Sequence, residues 1–309
     1  MPIRLTGMGS GLDIDSLVSD LMKAERIPVD KLGQKKQSYQ WKVEAYNDYN
    51  LKFASLRDSV SSLRFASGWK KSDGNGGTVR LSTDEIIAKV KDFVGKYNEL
   101  VTAVNGDLTE KADRNYTPLT SDQKSAMKDS DIATWEAKAK EGMLRNDSTL
   151  RKVLTDLRGI TSSVVDGVDS SYDTLSEIGI TTNKFVIGGS TENGKLTIDE
   201  NKLRAAIEAN PDAVVSLFTQ QGDGDSKGLI QRVYESMNTA ITQISRKING
   251  GVGAAPSLNK QISDIEKRIN QMNDRLYRRE DYYYQMFSSM ESAVSKGNST
   301  LSWLMQQFG

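Results

Sequence analysis

The chain of 309 residues contains no cysteine and no histidine, five prolines, and no net charge at neutral pH. Without cysteine the fold does not rest on disulfides, which leaves open whether its home is inside or outside a cell. Without histidine it lacks the usual general base and the commonest transition-metal ligand, which counts against enzyme chemistry. Balanced charge removes the bulk electrostatic case for nucleic acid or an anionic membrane as partner. No run approaches the ~20 apolar residues of a membrane span, and the opening MPIRLTGMGSGLDIDSL lacks the apolar centre of a cleaved secretory signal. The expectation is a soluble chain that, if it leaves its cell, does so by another route. Hydrophobic residues make up only 37% of the sequence, which favours long, thin elements over one large core.

What the chain has instead is periodicity. From Leu258, apolar residues recur in steps of four and three: Ile262, Ile265, Ile269, Met272, Leu276, then Tyr283, Met286, Met290, Ala293, Leu301, Leu304 and Phe308. That spacing is a coiled-coil seam on a rod of roughly 75 Å, with Pro256 and Ser257 suited to its start. Arg279 and Gly297 interrupt the seam, and Gly297 with Asn298 marks a candidate hinge. At the other end, Ile14, Leu17, Val18, Leu21 and Met22 share a helical face whose pattern stops near Pro28. A second helix is expected from about Val29 to Phe65, with Tyr39, Val43, Tyr46, Phe53, Leu56 and Val60 near heptad spacing. It is the natural antiparallel partner for the C-terminal rod.

Between them lies a smaller body. The glycine-rich GWKKSDGNGGT at 68–78 marks a turn or a missing segment. Ser82 and Glu85 form a capping box for a helix carrying Ile86, Val90, Phe93, Tyr97, Leu100 and Val104; Thr120 and Gln123 form another, for a helix to about Lys140. Asn146, Asp147 and Ser148 offer caps for a further helix containing Leu150, Val153, Leu154 and Leu157; Asp199 and the pair Asn210–Pro211 open two more, and a last one spans about Leu229 to Ile248. Phe185–Ile187 and Lys195–Ile198 read as two short strands around Asn193–Gly194. The fold class is therefore mainly α: long terminal helices in an antiparallel coiled coil, plus a helical bundle with a small β-hairpin, an α+β body. The expected divisions are 1–28, a flexible N-terminal leg segment; 29–67, the N-terminal coiled-coil helix; 68–78, a linker; 79–255, the body; 256–296, the C-terminal coiled-coil helix; and 297–309, a C-terminal leg segment.

Few residues argue for a chemical site. Asp223 and Asp225 suggest a calcium loop, but Lys227 and Tyr234 stand where oxygen ligands are needed, so a solvated loop is the better reading. Gly7, Gly9 and Gly11 follow no strand and present nothing to a phosphate. Arg275, Arg278 and Arg279 beside Tyr277 and Tyr282–Tyr284 fit single-stranded nucleic acid less well than a salt-bridged helix face, because Glu266, Glu280 and Asp281 break the positive stripe. No catalytic, metal or cofactor-binding residue is nominated, and no cofactor is expected. The side chains expected to meet a filament or another subunit are Ile14, Leu17, Leu21, Leu301, Trp303, Leu304 and Phe308; those expected in the coiled-coil core are Tyr39, Val43, Tyr46, Phe53, Val60, Ile262, Ile265, Ile269, Met272 and Leu276.

Longer stretches carry a resemblance. GMGSGLDIDSLVSDLMKAERIPVDKL with KKQSYQWKVEAYNDYN, then DEIIAKVKDFVGKYNELV, LTSDQKSAMKDSDIATWEAKAKEGMLRNDSTLRKVL, LSEIGITTNKF and GKLTIDENKLRAAIEANPDAVVSLF, together resemble the bacterial flagellar filament capping family, also called hook-associated protein 2. The resemblance implies a non-enzymatic structural cap at the distal end of the flagellum, outside the cell. It implies a ring-like homo-oligomer that guides exported flagellin into the filament and neighbours the hook–filament junction proteins. It also implies an export chaperone at the C-terminal end and export through the flagellar type III system without a cleaved signal, with adhesion as a possible second role. One departure stands out: the family carries β-rich head domains where this chain has the short segment around Gly74–Gly77, so either nature or engineering has joined the flanks. The competing reading is a coiled-coil adaptor or adhesin with no part in polymerisation.

Overall fold

The computed structural model describes residues 11–183, 191–251 and 255–308. Its elements are α1 (Ile14–Val60), β1 (Lys70–Ser72), β2 (Thr78–Arg80), α2 (Thr83–Thr109), α3 (Ser121–Ser125), α4 (Asp129–Lys140) and α5 (Ser148–Ser162). They continue with β3 (Ile180–Thr182), β4 (Leu196–Ile198), α6 (Glu200–Ala209), α7 (Pro211–Thr219), α8 (Leu229–Asn249) and α9 (Leu258–Phe308). The chain is mainly α, with two small antiparallel ribbons, β1–β2 and β3–β4. Among the described residues no helix is long and apolar enough to cross a membrane.

The first correction concerns α1. The sequence pattern stops at Pro28, yet the helix runs unbroken through it. An interior proline removes one helical hydrogen bond and costs about 3 kcal/mol. Packing on both flanks offsets that cost: Ile14, Val18 and Met22 are buried before it, and Trp41, Tyr46, Tyr49, Phe53, Leu56 and Val60 after it. The helix then ends at Val60, a turn earlier than expected, and turns carry Leu63 into the core. A second correction is that the helix expected from Thr120 to Lys140 is two, α3 and α4. Neither buries a residue; the Thr120–Gln123 capping box starts α3, and Asp129 and Asp131 stand in the first turn of α4.

Contacts divide the chain into two compact units: Met1–Tyr39 with Pro118–Ile132 and Lys260–Gly309, and Gln40–Thr117 with Ala133–Asn259. In the first, the start of α1 runs antiparallel to α9. Asp15 meets Tyr284, Glu25 meets Arg279 and Tyr283, and Lys36 meets Glu266, so numbers rise along one helix as they fall along the other. Gln34 ties the segment before α3 to α1 by donating to the Pro118 carbonyl at 2.7 Å.

The second unit holds the main core. Helices α2 and α8 both pack against α5, with α6 on α2 and α7 on α8: Phe93, Tyr97 and Val101, Val233, Met237 and Ile244, Leu157, Leu203 and Leu217 are all buried. Trp69 stacks on Phe218 with centroids 5.3 Å apart and donates its indole N–H to the Leu63 carbonyl. Asn98 of α2 grips β4 from the side, since its amide donates to the Leu196 carbonyl at 2.8 Å and its oxygen accepts from the Leu196 N–H at 2.7 Å. Asn105, Tyr97 and Arg158 hold the carbonyls of Asn193 and Gly194 just before it. Gly194 has φ of +80°, which favours glycine, and a Cβ there would meet Arg158 Nε at 2.4 Å and push that side chain aside. The strand expected at Phe185–Ile187 lies outside the described residues; β4 pairs with Ile180–Thr182.

Candidate functional site

The expected contact residues fall on two sides of the paired terminal helices. Ile14 is not a free surface: with Val18 and Met22 it forms an i, i+4, i+8 row buried against Leu276, Tyr283, Tyr284 and Phe287 of α9. Leu17 and Leu21 lie one residue off that row and remain 40% and 38% exposed. Polar groups fix the register. Glu25 accepts from the Tyr283 hydroxyl at 3.0 Å and the Arg279 guanidinium at 3.2 Å, and these two bonds, Tyr283 first, lower its carboxyl. Asp13 accepts from the Ser16 N–H at the start of α1, which lowers its carboxyl too.

Beyond Phe287, α9 turns its large side chains to solvent. Leu301, Leu304, Met305 and Phe308 recur as i, i+3, i+4 and i+7 on one face, with Phe308 86% exposed, while Trp303 projects from another side of the helix and is also exposed. Burial of such a side chain is worth roughly 1.5–3 kcal/mol, so a surface covering this row gains several kcal/mol before ordering costs. Gly297 sits inside this stretch of helix, and a Cβ there would meet nothing within 4 Å.

The expected coiled-coil core divides between the two units. In the first, Ile265 is buried, Ile262, Ile269, Met272 and Leu276 are half-buried on α9, and Tyr39 is half-buried on α1; Val43, also half-buried, already lies in the second. Tyr46, Phe53 and Val60 instead belong to the core of the second unit, where the same heptad row meets shorter helices. Tyr46 donates to Asp147 at 2.6 Å, and Tyr49, which the heptad reading passed over, donates to Asp107 at 2.8 Å and to the Ala103 carbonyl. Tyr49 and Trp41 were legible as large aromatics on the inner side of the heptad, displaced by less than a turn from its main row.

Asp147 is the most connected charge in that unit. One carboxylate oxygen caps α5 through the Thr149 and Leu150 N–H groups; the other receives Tyr46 and the Lys247 ammonium at 2.9 Å. Burial alone would raise its carboxyl, but the bonds from Tyr46, Lys247 and the Leu150 amide outweigh that and hold it below the ordinary value. Burial, then the bond to Asp147, pushes the Tyr46 hydroxyl far up. The arrangement is a structural knot of α1, α5 and α8 rather than an open cleft.

The Asp223–Asp225 loop forms a short 3₁₀ turn in which the Asp225 carboxylate faces Arg232 at 3.4 Å. Arg279, from the basic and aromatic patch, is occupied by Glu25. Among the described residues no cluster of three or more acidic side chains is arranged to hold a metal ion. Gly7 and Gly9 lie outside the described residues.

Two family models match the chain: Flagellar hook-associated protein 2 N-terminus over residues 10–92 and Flagellar hook-associated protein 2 C-terminus over residues 69–299. The chain is 30% identical over 252 residues to flagellar hook-associated protein 2 of Halalkalibacterium halodurans, covering 74% of this chain and 46% of that protein. It is 30% identical over 231 residues to the protein of that name from Thermotoga maritima, covering 74% of this chain and 34% of the relative. The Escherichia coli K12 protein of that name is 29% identical over 228 residues, covering 73% and 42%. The chain thus spans less than half the length of these relatives. No solved structure gives a significant match.

Proposed function

The chain belongs to the flagellar hook-associated protein 2 family, and from that premise we propose that it is a structural, non-enzymatic cap at the distal tip of the bacterial flagellum, which self-assembles and guides exported flagellin into the filament. The observation that carries the reading is the order of the two family models along the chain, N-terminal then C-terminal, from residue 10 to residue 299. The exposed rows on α1 and α9 support it, because a protein that docks on a growing polymer needs apolar surface reserved for partners. Its partners in this reading are flagellin and the filament tip, further copies in a ring, the hook–filament junction proteins, and an export chaperone at the C-terminal end. Its place is extracellular, reached through the flagellar type III route without a cleaved signal. The segments 1–28 and 297–309 act as legs, 29–67 and 256–296 as the coiled-coil arms, 79–255 as the body, and 68–78 as the join where relatives carry a head.

The cap works mechanically. Legs held by a few apolar side chains release and rebind as each flagellin enters, whereas tightly bound legs would stall growth. The test is electron microscopy of filaments grown from flagellin with and without the chain, expecting ring-shaped density at one end only. Replacing Leu301 and Leu304 with aspartate leaves the circular dichroism melt of the body unchanged and removes that density. Filaments that keep their end density and growth rate with the double variant would refute the assignment of the C-terminal row; absence of density with the unaltered chain would overturn the cap reading.

A further inference from the structure

A groove of about 380 Å³ opens between α1 and α9 at Pro28. Its floor is apolar, made by Pro28, Met272 and Leu276, and its rim carries Arg275 and Arg278. Arg279 at its end is taken by Glu25, but Arg275 and Arg278 are exposed and have no hydrogen-bond or ion-pair partner among the described residues. Guanidinium groups beside an apolar floor select a carboxylate borne next to a large apolar side chain. The same unit exposes such a surface. On α1, Leu17 and Leu21 stand outward one turn apart, with Asp20 beside them, its side chain 73% exposed and joined only to exposed Lys23. The other exposed apolar row, at the end of α9, offers no counter-charge, since Lys296 is the only charged residue from Ser295 to Phe308.

We propose that this groove receives the Leu17–Leu21 face of α1 from a second copy of the chain, with Asp20 of one copy seated between Arg275 and Arg278 of the other. The proposal rests on the self-assembly part of the function given above and names the surfaces that carry it. Acidic face and basic groove are different patches on one copy, so the contact either reciprocates in a closed pair or propagates around a ring. It joins like molecules through unlike surfaces, and weakens as salt rises because its charges lie at the rim.

The experiment is sedimentation velocity of the full chain at low and high salt, with charge reversals on each side. Arg275→Glu with Arg278→Glu weakens self-association at least about tenfold, as does Asp20→Arg alone. The three changes together restore most of it. All of these positions are exposed, so the thermal melt stays unchanged, and Leu17→Ser with Leu21→Ser gives a second, charge-independent loss. Self-association that persists unchanged in the reversed variants would overturn this interface and leave the cap reading standing. An unaltered chain that stays monomeric at every concentration tested would overturn both the interface and the self-assembly on which it rests.

Discussion

Asp147 offers the sharpest test of how the body is held together. Its side chain is only 7% exposed, yet it serves three elements: it caps α5 by accepting from Thr149 and Leu150, and it receives Tyr46 from α1 and Lys247 from α8. Replacing it with alanine removes an N-cap, worth about 1 kcal/mol. It also takes the acceptor from the Tyr46 hydroxyl and the counter-charge from the Lys247 ammonium, which keeps only its bond to the Tyr46 oxygen at 3.0 Å; bonds to a charged group contribute about 1.5–3 kcal/mol, and the lower end applies here because Lys247 remains 34% exposed. The expected loss is about 3 kcal/mol, or roughly 6–12 °C of melting temperature for a unit of this size. Asp147→Asn keeps an oxygen for the cap and loses the ion pair, so its loss is about half as large. The sign of the pH dependence follows from the lowered carboxyl: the contribution is complete above the ordinary value of 3.8 and is lost as pH falls through the lower, folded value. Thermal melts of the three proteins at neutral and acid pH provide the measurement. The gap between the unaltered chain and Asp147→Asn narrows as the solution is acidified. A gap that stays constant with pH, or an alanine variant that melts within 2 °C of the unaltered chain, would refute the reasoning.

Two further predictions probe other links. Asn98→Ala removes both bonds to β4 and costs about 2 kcal/mol, with faster hydrogen exchange at the Leu196 amide while the α8 amides stay protected; unchanged exchange at Leu196 would show that the strand holds without its side support. Gly297→Ala adds a methyl into open space and stabilises the end of α9 by about 1 kcal/mol, seen as slower exchange from Leu301 to Phe308. If Gly297 is a working hinge, the same change reduces filament growth at unaltered thermal stability; normal growth would remove the hinge.

Helix starts were the most legible part of the sequence because a cap is a local device. Ser82 with Glu85, Thr120 with Gln123, Asp199 and Asn210 with Pro211 all perform the capping read from their order alone, and of the three candidates Asn146, Asp147 and Ser148 it is Asp147 that caps α5. Pro28 misled because the packing that outweighs it is contributed by residues hundreds of positions away. The heptads of α1 were visible, but not their partners: a row of apolar side chains does not say whether it faces one long helix or several short ones, and Tyr46, Phe53 and Val60 took the second option. For the candidate surface, periodicity separated the terminal rows from polar residues. It could not separate Ile14, which is covered within the chain, from Leu17 and Leu21, which are not.

The β1–β2 ribbon has a consequence for how the length of such chains can vary. Lys70 pairs with Arg80 and Ser72 with Thr78, while Asp73 closes the turn by accepting from Asn75 and Gly77. Paired strands bring the outgoing and returning chain to within ~5 Å of each other. A domain inserted at this point whose own ends lie equally close adds no demand on the helices below, and removing it leaves two ends that a handful of residues can bridge. The ribbon therefore has the geometry of a socket: a domain plugged in there would be free to change in size and sequence while Trp69 on one side and the Ser82 cap on the other kept their places.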